Sequence, residues 1–305
     1  MKKKIIPILL SGVLLMNLTA CKNSPEEATP GHTETETATT DENNWSREND
    51  YKEHLCDDTC DDFIQIAGAI NCCRRSTQVT ISYNRLTLLD LEQIATLPEL
   101  ELLFLQNCQI SDISPLSTLT GLKELIIDSN QISDISPLET LVNLNILNLS
   151  NNQLEDISSL SSLTSLRDLG LSYNQITDIS PLENLSELLY LYLNNNRIVD
   201  ISPLSGLTKL EDLGMVRNQI TDVSPLGTLV KLILLELNEN QISDISPLGT
   251  LTALELLYLT DNQISDIQPL KTLVSLFELD VSGNQITENQ YKELSEQLPS
   301  ADIYY

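Results

Sequence analysis

The 305-residue chain has almost no histidine: His32 and His54 are its only two. No Ser-His-Asp set, GxSxG, HExxH or phosphate-loop signature is present, so the chain is not expected to be an enzyme and no cofactor is implied. Basic residues are scarce as well, 17 Lys+Arg against 44 Asp+Glu, which leaves a net charge of −27. Phosphate contacts need lysine and arginine, so nucleic acid is excluded as a partner. The acids form a solvated shell and favour basic partners. Aromatic residues make up only 4% of the chain, and leucine and isoleucine supply the apolar mass instead. No apolar run reaches the roughly 20 residues of a spanning helix.

The longest apolar run, Ile5 to Leu18, follows the basic stretch Lys2-Lys3-Lys4 and leads into Leu18-Thr19-Ala20-Cys21. Basic start, short apolar core and small residue before a cysteine resemble a bacterial lipoprotein signal. The resemblance implies cleavage of residues 1–20 and lipidation of Cys21. Loss of the three lysines takes the net charge from −27 to −30. A lipid-anchored place in the bacterial cell envelope follows, at the outer membrane or cell surface. Residues 21–50 are rich in Thr, Glu and Pro and poor in aliphatics, which predicts a disordered tether reaching roughly 30 Å.

From Ile94 onward the sequence repeats every 22 residues, as in Leu116 to Pro137, LSTLTGLKELIIDSNQISDISP. Eight copies start at Ile94, Leu116, Leu138, Leu160, Leu182, Leu204, Leu226 and Leu248, and a ninth at Leu270 fades after Ile286. Positions 1, 4, 7, 10, 12, 17 and 20 are apolar in every full copy. Positions 10 and 12 flank one outward residue, which is strand alternation. Position 15 is asparagine in seven copies, from Asn130 to Asn262, and Cys108 in the first. A column of such side chains predicts a hydrogen-bonded ladder, with Cys108 a buried, unreactive thiol. Position 19 is aspartate in all eight, and turn capping is preferred there over a calcium column. Ser-Pro then opens a short helical or 3₁₀ segment, with capping boxes expected for Ser136 with Glu139 and Ser180 with Glu183.

One repeat cannot cover its own open faces, so stacked repeats over 94–291 need a cap at each end. Residues 51–93 form the N-terminal cap. Within it, a short amphipathic helix is expected after Asp61-Asp62, and an extra strand through Val79, Ile81 and Tyr83. Leu88, Asp90 and Leu91 take repeat positions 17, 19 and 20. Residues 292–305 form the C-terminal cap. Cys56, Cys60, Cys72 and Cys73 lie together in the first cap, and two disulfides joining the first pair to the second are expected, in an order the sequence leaves open. The spacing lacks CxxC knuckles, so no metal is assigned.

The 22-residue unit, with NQISDISPL recurring almost verbatim, resembles the internalin-type leucine-rich repeat of bacterial surface proteins. It implies a curved α/β repeat solenoid with a parallel concave sheet, short convex segments and binding on the concave side. Positions 9, 11, 13 and 14 face outward there. They carry Phe104, Ile126, Ile146, Tyr173, Tyr190, Tyr192, Leu234 and Tyr258. Tyr192 lies between Gly170 and Gly214, which predicts shallow dimples beside it. Aromatic anchors on an apolar face suit a protein ligand. The carboxylate pair Asp168 and Asp212 reads as polar rim. The resulting expectation is a monomeric binding protein of adhesin type. Its alternative is an envelope scaffold that binds the cell's own proteins.

Overall fold

The computed structural model describes residues 62–68 and 70–305. The leader, Cys21, the tether and Cys56 and Cys60 lie outside the described residues. Thirteen strands follow in chain order: β1 Phe63–Ile66, β2 Ile70–Cys73, β3 Gln78–Ser82, β4 Leu102–Gln106, β5 Glu124–Ile126, β6 Ile146–Asn148, β7 Asp168–Gly170, β8 Tyr190–Tyr192, β9 Asp212–Gly214, β10 Leu234–Glu236, β11 Leu256–Tyr258, β12 Glu278–Asp280 and β13 Asp302–Tyr304. β3 to β13 make one 11-stranded parallel sheet in sequential order. Each repeat therefore adds one strand beside the last. Eight short 3₁₀ segments, from Ser114–Thr118 to Gln268–Thr272, line the opposite side.

The seven apolar positions of every full copy are buried, the least so being Leu119 at 5% exposure. They form one continuous core running through all coils. This is why three-residue strands suffice: each buries its middle leucine, and the neighbouring coils close its hydrogen bonds.

The asparagine ladder is complete. Asn152 Oδ1 accepts from the Ile132 backbone N–H at 3.0 Å, while its Nδ2 donates to the carbonyls of Ile127 and Leu149 at 3.1 and 3.0 Å. The same pattern recurs down to Asn284 in the ninth repeat. Cys108 keeps the donor half of this role, its thiol reaching the Ile81 carbonyl at 3.4 Å. Burial pushes that thiol up to about 11, so it stays protonated.

The aspartates of position 19 cap turns. In all eight copies Oδ1 accepts from the backbone N–H two residues on, at 2.8 Å from Asp112 to Asp266. The Ser136–Glu139 and Ser180–Glu183 capping boxes do not form. Ile135 and Ile179 occupy the N-cap positions, and the preceding aspartate has already taken the serine N–H.

The N-terminal cap differs from expectation. No helix follows Asp62. β1 and β2 form an antiparallel hairpin instead, turning at Ala67 and Gly68, both at positive φ. The alternating isoleucines Ile64 and Ile66 set a period of two, and both are buried. The extra strand β3 is present, but its pairing with β4 is offset by 24 residues, Val79 opposite Leu103. Leu88 to Leu91 then belong to a helix, α1 Leu88–Ile94, and not to a repeat turn. Thr87 and Asp90 make its capping box, and Asp90 Oδ1 also accepts from the Ala67 N–H at 2.6 Å, tying hairpin to helix.

The expected disulfide partners in this cap, Cys56 and Cys60, lie outside the described residues; Cys72 itself is buried, its Sγ 3.4 Å from Ser76 Oγ. Its place at the buried end of β2, against the core, directs it inward, whereas Cys73 is only half-buried. At the other end, α2 Glu288–Gln297 buries Leu294, and β13 adds a strand that the repeat pattern did not announce.

Candidate functional site on the concave sheet

Strand positions 9 and 11 point away from the core, and the parallel register sets them in rows. Asp168, Tyr190, Asp212 and Leu234 stand side by side, as do Gly170, Tyr192, Gly214 and Glu236. Neighbours in a row are about 4.8 Å apart. The face is thus a grid whose chemistry changes strand by strand.

The predicted binding residues divide by depth. Ile126, Ile146, Tyr190 and Tyr258 are half-exposed. Phe104, Tyr192 and Leu234 are buried at 7%, 6% and 1% exposure. Tyr173 does not lie on the sheet. It follows β7 in the turn, at φ 57°, and is exposed. The dimples expected beside Tyr192 are filled. The space above Gly170 is taken by the Asn148 and Ser150 side chains, and that above Gly214 by Asn194 and Glu236.

The middle of the face is acidic and dry. Asp212 and Glu236 are 5% and 9% exposed, so Asp212 belongs to the floor and not to a polar rim. The Tyr192 hydroxyl donates to Asp212 Oδ2 at 2.9 Å. Asp212 Oδ1 and Glu236 Oε2 are buried without a hydrogen-bond partner, as is Asp128 Oδ1 on the coil of β5. None of the six ion pairs among the described residues includes them. Burial pushes the Asp212 carboxyl up to about 7, the charges of Glu236 and Asp168 adding to it and the Tyr192 hydroxyl opposing. Asp168 rises to about 6 through burial and the Glu124 charge. Burial also raises Glu236 and Glu124.

Sequence reasoning had put Asp168 and Asp212 aside and passed over Glu236. Their signal was present in the alternation of acid, tyrosine and glycine on successive strands. Depth is what the sequence did not carry.

A family model described as Leucine Rich repeats (2 copies) matches six windows, 98–140, 120–162, 142–184, 164–206, 186–228 and 230–272. The chain belongs to the leucine-rich-repeat family. An internalin of Listeria monocytogenes, InlF, is 33% identical, with a TM-score of 0.54 over 77% of this chain and 82% of that one. The internalin InlC2 of the same organism is 42% identical, with a TM-score of 0.56 over 66% and 84%. A leucine-rich-repeat protein of Leptospira interrogans is 27% identical, with a TM-score of 0.71 over 74% and 60%. Among curated proteins, none matches the chain. This leucine-rich-repeat array therefore has internalin-like structural neighbours.

Proposed function

We propose that this chain is a lipid-anchored protein of the bacterial envelope that binds a protein partner on its concave sheet, as an adhesin, and acts without catalysis. The observation that carries the reading is the set of half-exposed Ile146 and Tyr190 in the position-9 row and Ile126 and Tyr258 in the position-11 row of one parallel sheet. Aromatic and aliphatic side chains so displayed are the anchors of protein interfaces. The identity of 33–42% to internalins supports the same use of the face. The anchor rests on Cys21 after an apolar leader. The reading includes a monomer that binds no nucleic acid, and one cap disulfide through Cys73, which is disulfide-bonded. Cys56 or Cys60 is its proposed partner.

Protease shaving of intact cells, with a blot for the repeat domain, tests the placement. Loss of the domain supports the adhesin. Survival until the envelope is permeabilised supports instead a scaffold for the cell's own proteins. Palmitate labelling that persists in Cys21→Ala would remove the anchor. Tyr190→Ala combined with Tyr258→Ala should weaken capture of a partner by about tenfold or more.

A further inference from the structure

We infer that the floor of the concave face, from β7 to β10, is a receptor for an arginine side chain of the protein partner. This deepens the concave-face reading and rests on it. The argument begins with what is missing. The column of buried asparagines is satisfied by backbone groups of two coils, and even the exposed turn aspartates accept backbone N–H groups. Asp212 and Glu236 break that rule. Each is more than nine-tenths buried, each keeps one oxygen without a partner, and they occupy adjacent strands at positions 9 and 11. Carboxylates buried without a cation are costly, and chains retain them where a ligand supplies the missing charge.

The chemistry of that ligand follows from the donor count and the geometry. Among the described residues no three carboxylates, cysteines or histidines converge closely enough to hold a metal ion. An organic cation remains. The groups facing Asp212 are Asp168 on β7, Tyr190 and Tyr192 on β8 and Glu236 on β10, and none is basic. Arg167, whose charge acts on Tyr190, is exposed beside β7 and makes no ion pair with this floor. A guanidinium offers five donors in a planar fork and sheds water more readily than an ammonium, which suits two buried acceptors on neighbouring strands. Entry requires one motion. The Glu236 carboxylate lies over Gly214, where even a Cβ would stand 3.2 Å from Oε2. Rotation of this flexible side chain opens both acceptors to the concave space, and Tyr192 holds Asp212 in place meanwhile.

The test uses the full chain, carbon-labelled at the aspartate and glutamate carboxyls, titrated with acetyl-Gly-Arg-Gly-amide and followed by NMR. The arginine peptide should shift the Asp212 and Glu236 signals and lower the pH at which they titrate. Its affinity should rise as pH increases through 7. The double variant Asp212→Asn, Glu236→Gln should bind about tenfold more weakly or worse. Both replacements keep an acceptor, so Tyr192 keeps its bond and the fold is preserved. Asp280→Asn, on the same face three strands away from β9, should bind like the parent. The inference is overturned if the uncharged citrulline peptide binds equally, if the lysine peptide binds more tightly, if the double variant binds unchanged, or if no carboxyl responds. A captured partner that is sensitive to the Tyr190 and Tyr258 substitutions but indifferent to the double variant would remove the arginine alone and leave the concave-face reading standing.

Discussion

Two sets of buried polar side chains run through this molecule, and they are managed in opposite ways. The asparagine column sits inside the coils, 8–9% exposed at Asn152, Asn174, Asn196, Asn218, Asn240 and Asn262, with its amide bonded on both sides. The concave carboxylates are as deeply placed, yet Asp212 and Glu236 keep bare oxygens. The first set converts burial into register, because an amide with donor and acceptor can bridge two coils. The second holds charge in a dry place without compensation, which weakens the folded chain until something arrives to neutralise it. Depth alone therefore does not say what a polar residue is for; the count of its partners does.

The sharpest way to break the comparison is to remove one rung. Asn196→Ala orphans the Ile176 N–H and frees the Leu171 and Leu193 carbonyls. It should destabilise the array by about 3–5 kcal/mol, since each buried group left unpaired costs about 1–3 kcal/mol. Denaturant unfolding monitored by circular dichroism measures it, and a loss under about 1 kcal/mol would show that water replaces the rung.

The carboxylate set predicts the opposite sign. Asp212 titrates near 7 in the fold. It titrates near 3.9 when unfolded. Between those values the folded chain holds a proton that the unfolded chain lacks, so stability falls as pH rises through that window. Asp168, near 6, acts in the same direction. The midpoint of thermal unfolding should accordingly be higher at pH 5 than at pH 8. Asp212→Asn should raise it at pH 8 and flatten the dependence. Below pH 4 the turn aspartates reverse the trend: Asp134, Asp178 and Asp200 are held below the usual carboxylate range by serine N–H groups, and Asp244 by the Ser246 hydroxyl and then its N–H, and their caps are lost on protonation.

Smaller effects calibrate the scale. Asp200→Ala deletes one exposed turn cap, the Ser202 N–H bond at 2.8 Å, and should lower the unfolding midpoint slightly in the same assay. Lys209→Ala breaks an exposed ion pair with Glu187 at 2.7 Å and should leave the unfolding midpoint indistinguishable from the parent's. If the ion pair proved worth more than the cap, the surface would matter to this fold in a way its geometry does not suggest.

Much of the architecture was legible because the period repeats the same physics. A leucine at position 10 of one copy predicts its own burial and that of its counterparts, so the core, the ladder and the turn caps emerged together. Where the period stops, legibility stops too. The hairpin β1–β2 was read as a helix because acids precede an apolar cluster, whereas Gly68 and the alternating isoleucines dictate a turn between strands. The 24-residue offset of β3 shifted Leu88 to Leu91 from a repeat turn into α1. At the site, the outward direction of Tyr190 and Tyr192 was readable from alternation, but their depth was not. Exposure on this face depends on how neighbours on adjacent strands pack together: Tyr192 and Leu234 are buried in register beside the acids, and Tyr192 bonds Asp212 directly.

Because each coil contributes one strand and one step of about 4.8 Å, the array behaves as a ruler. Its graduations are interchangeable: the inward positions of one copy match those of the next, while the outward positions 9 and 11 are written independently on each. Excision of a whole 22-residue unit between the N-terminal cap and β7 would leave every inter-coil junction chemically alike. It would also carry the acidic floor one graduation closer to the cap. Reach and recognition are thus separate variables in this chain, adjustable by copy number in the one case and by single letters in the other.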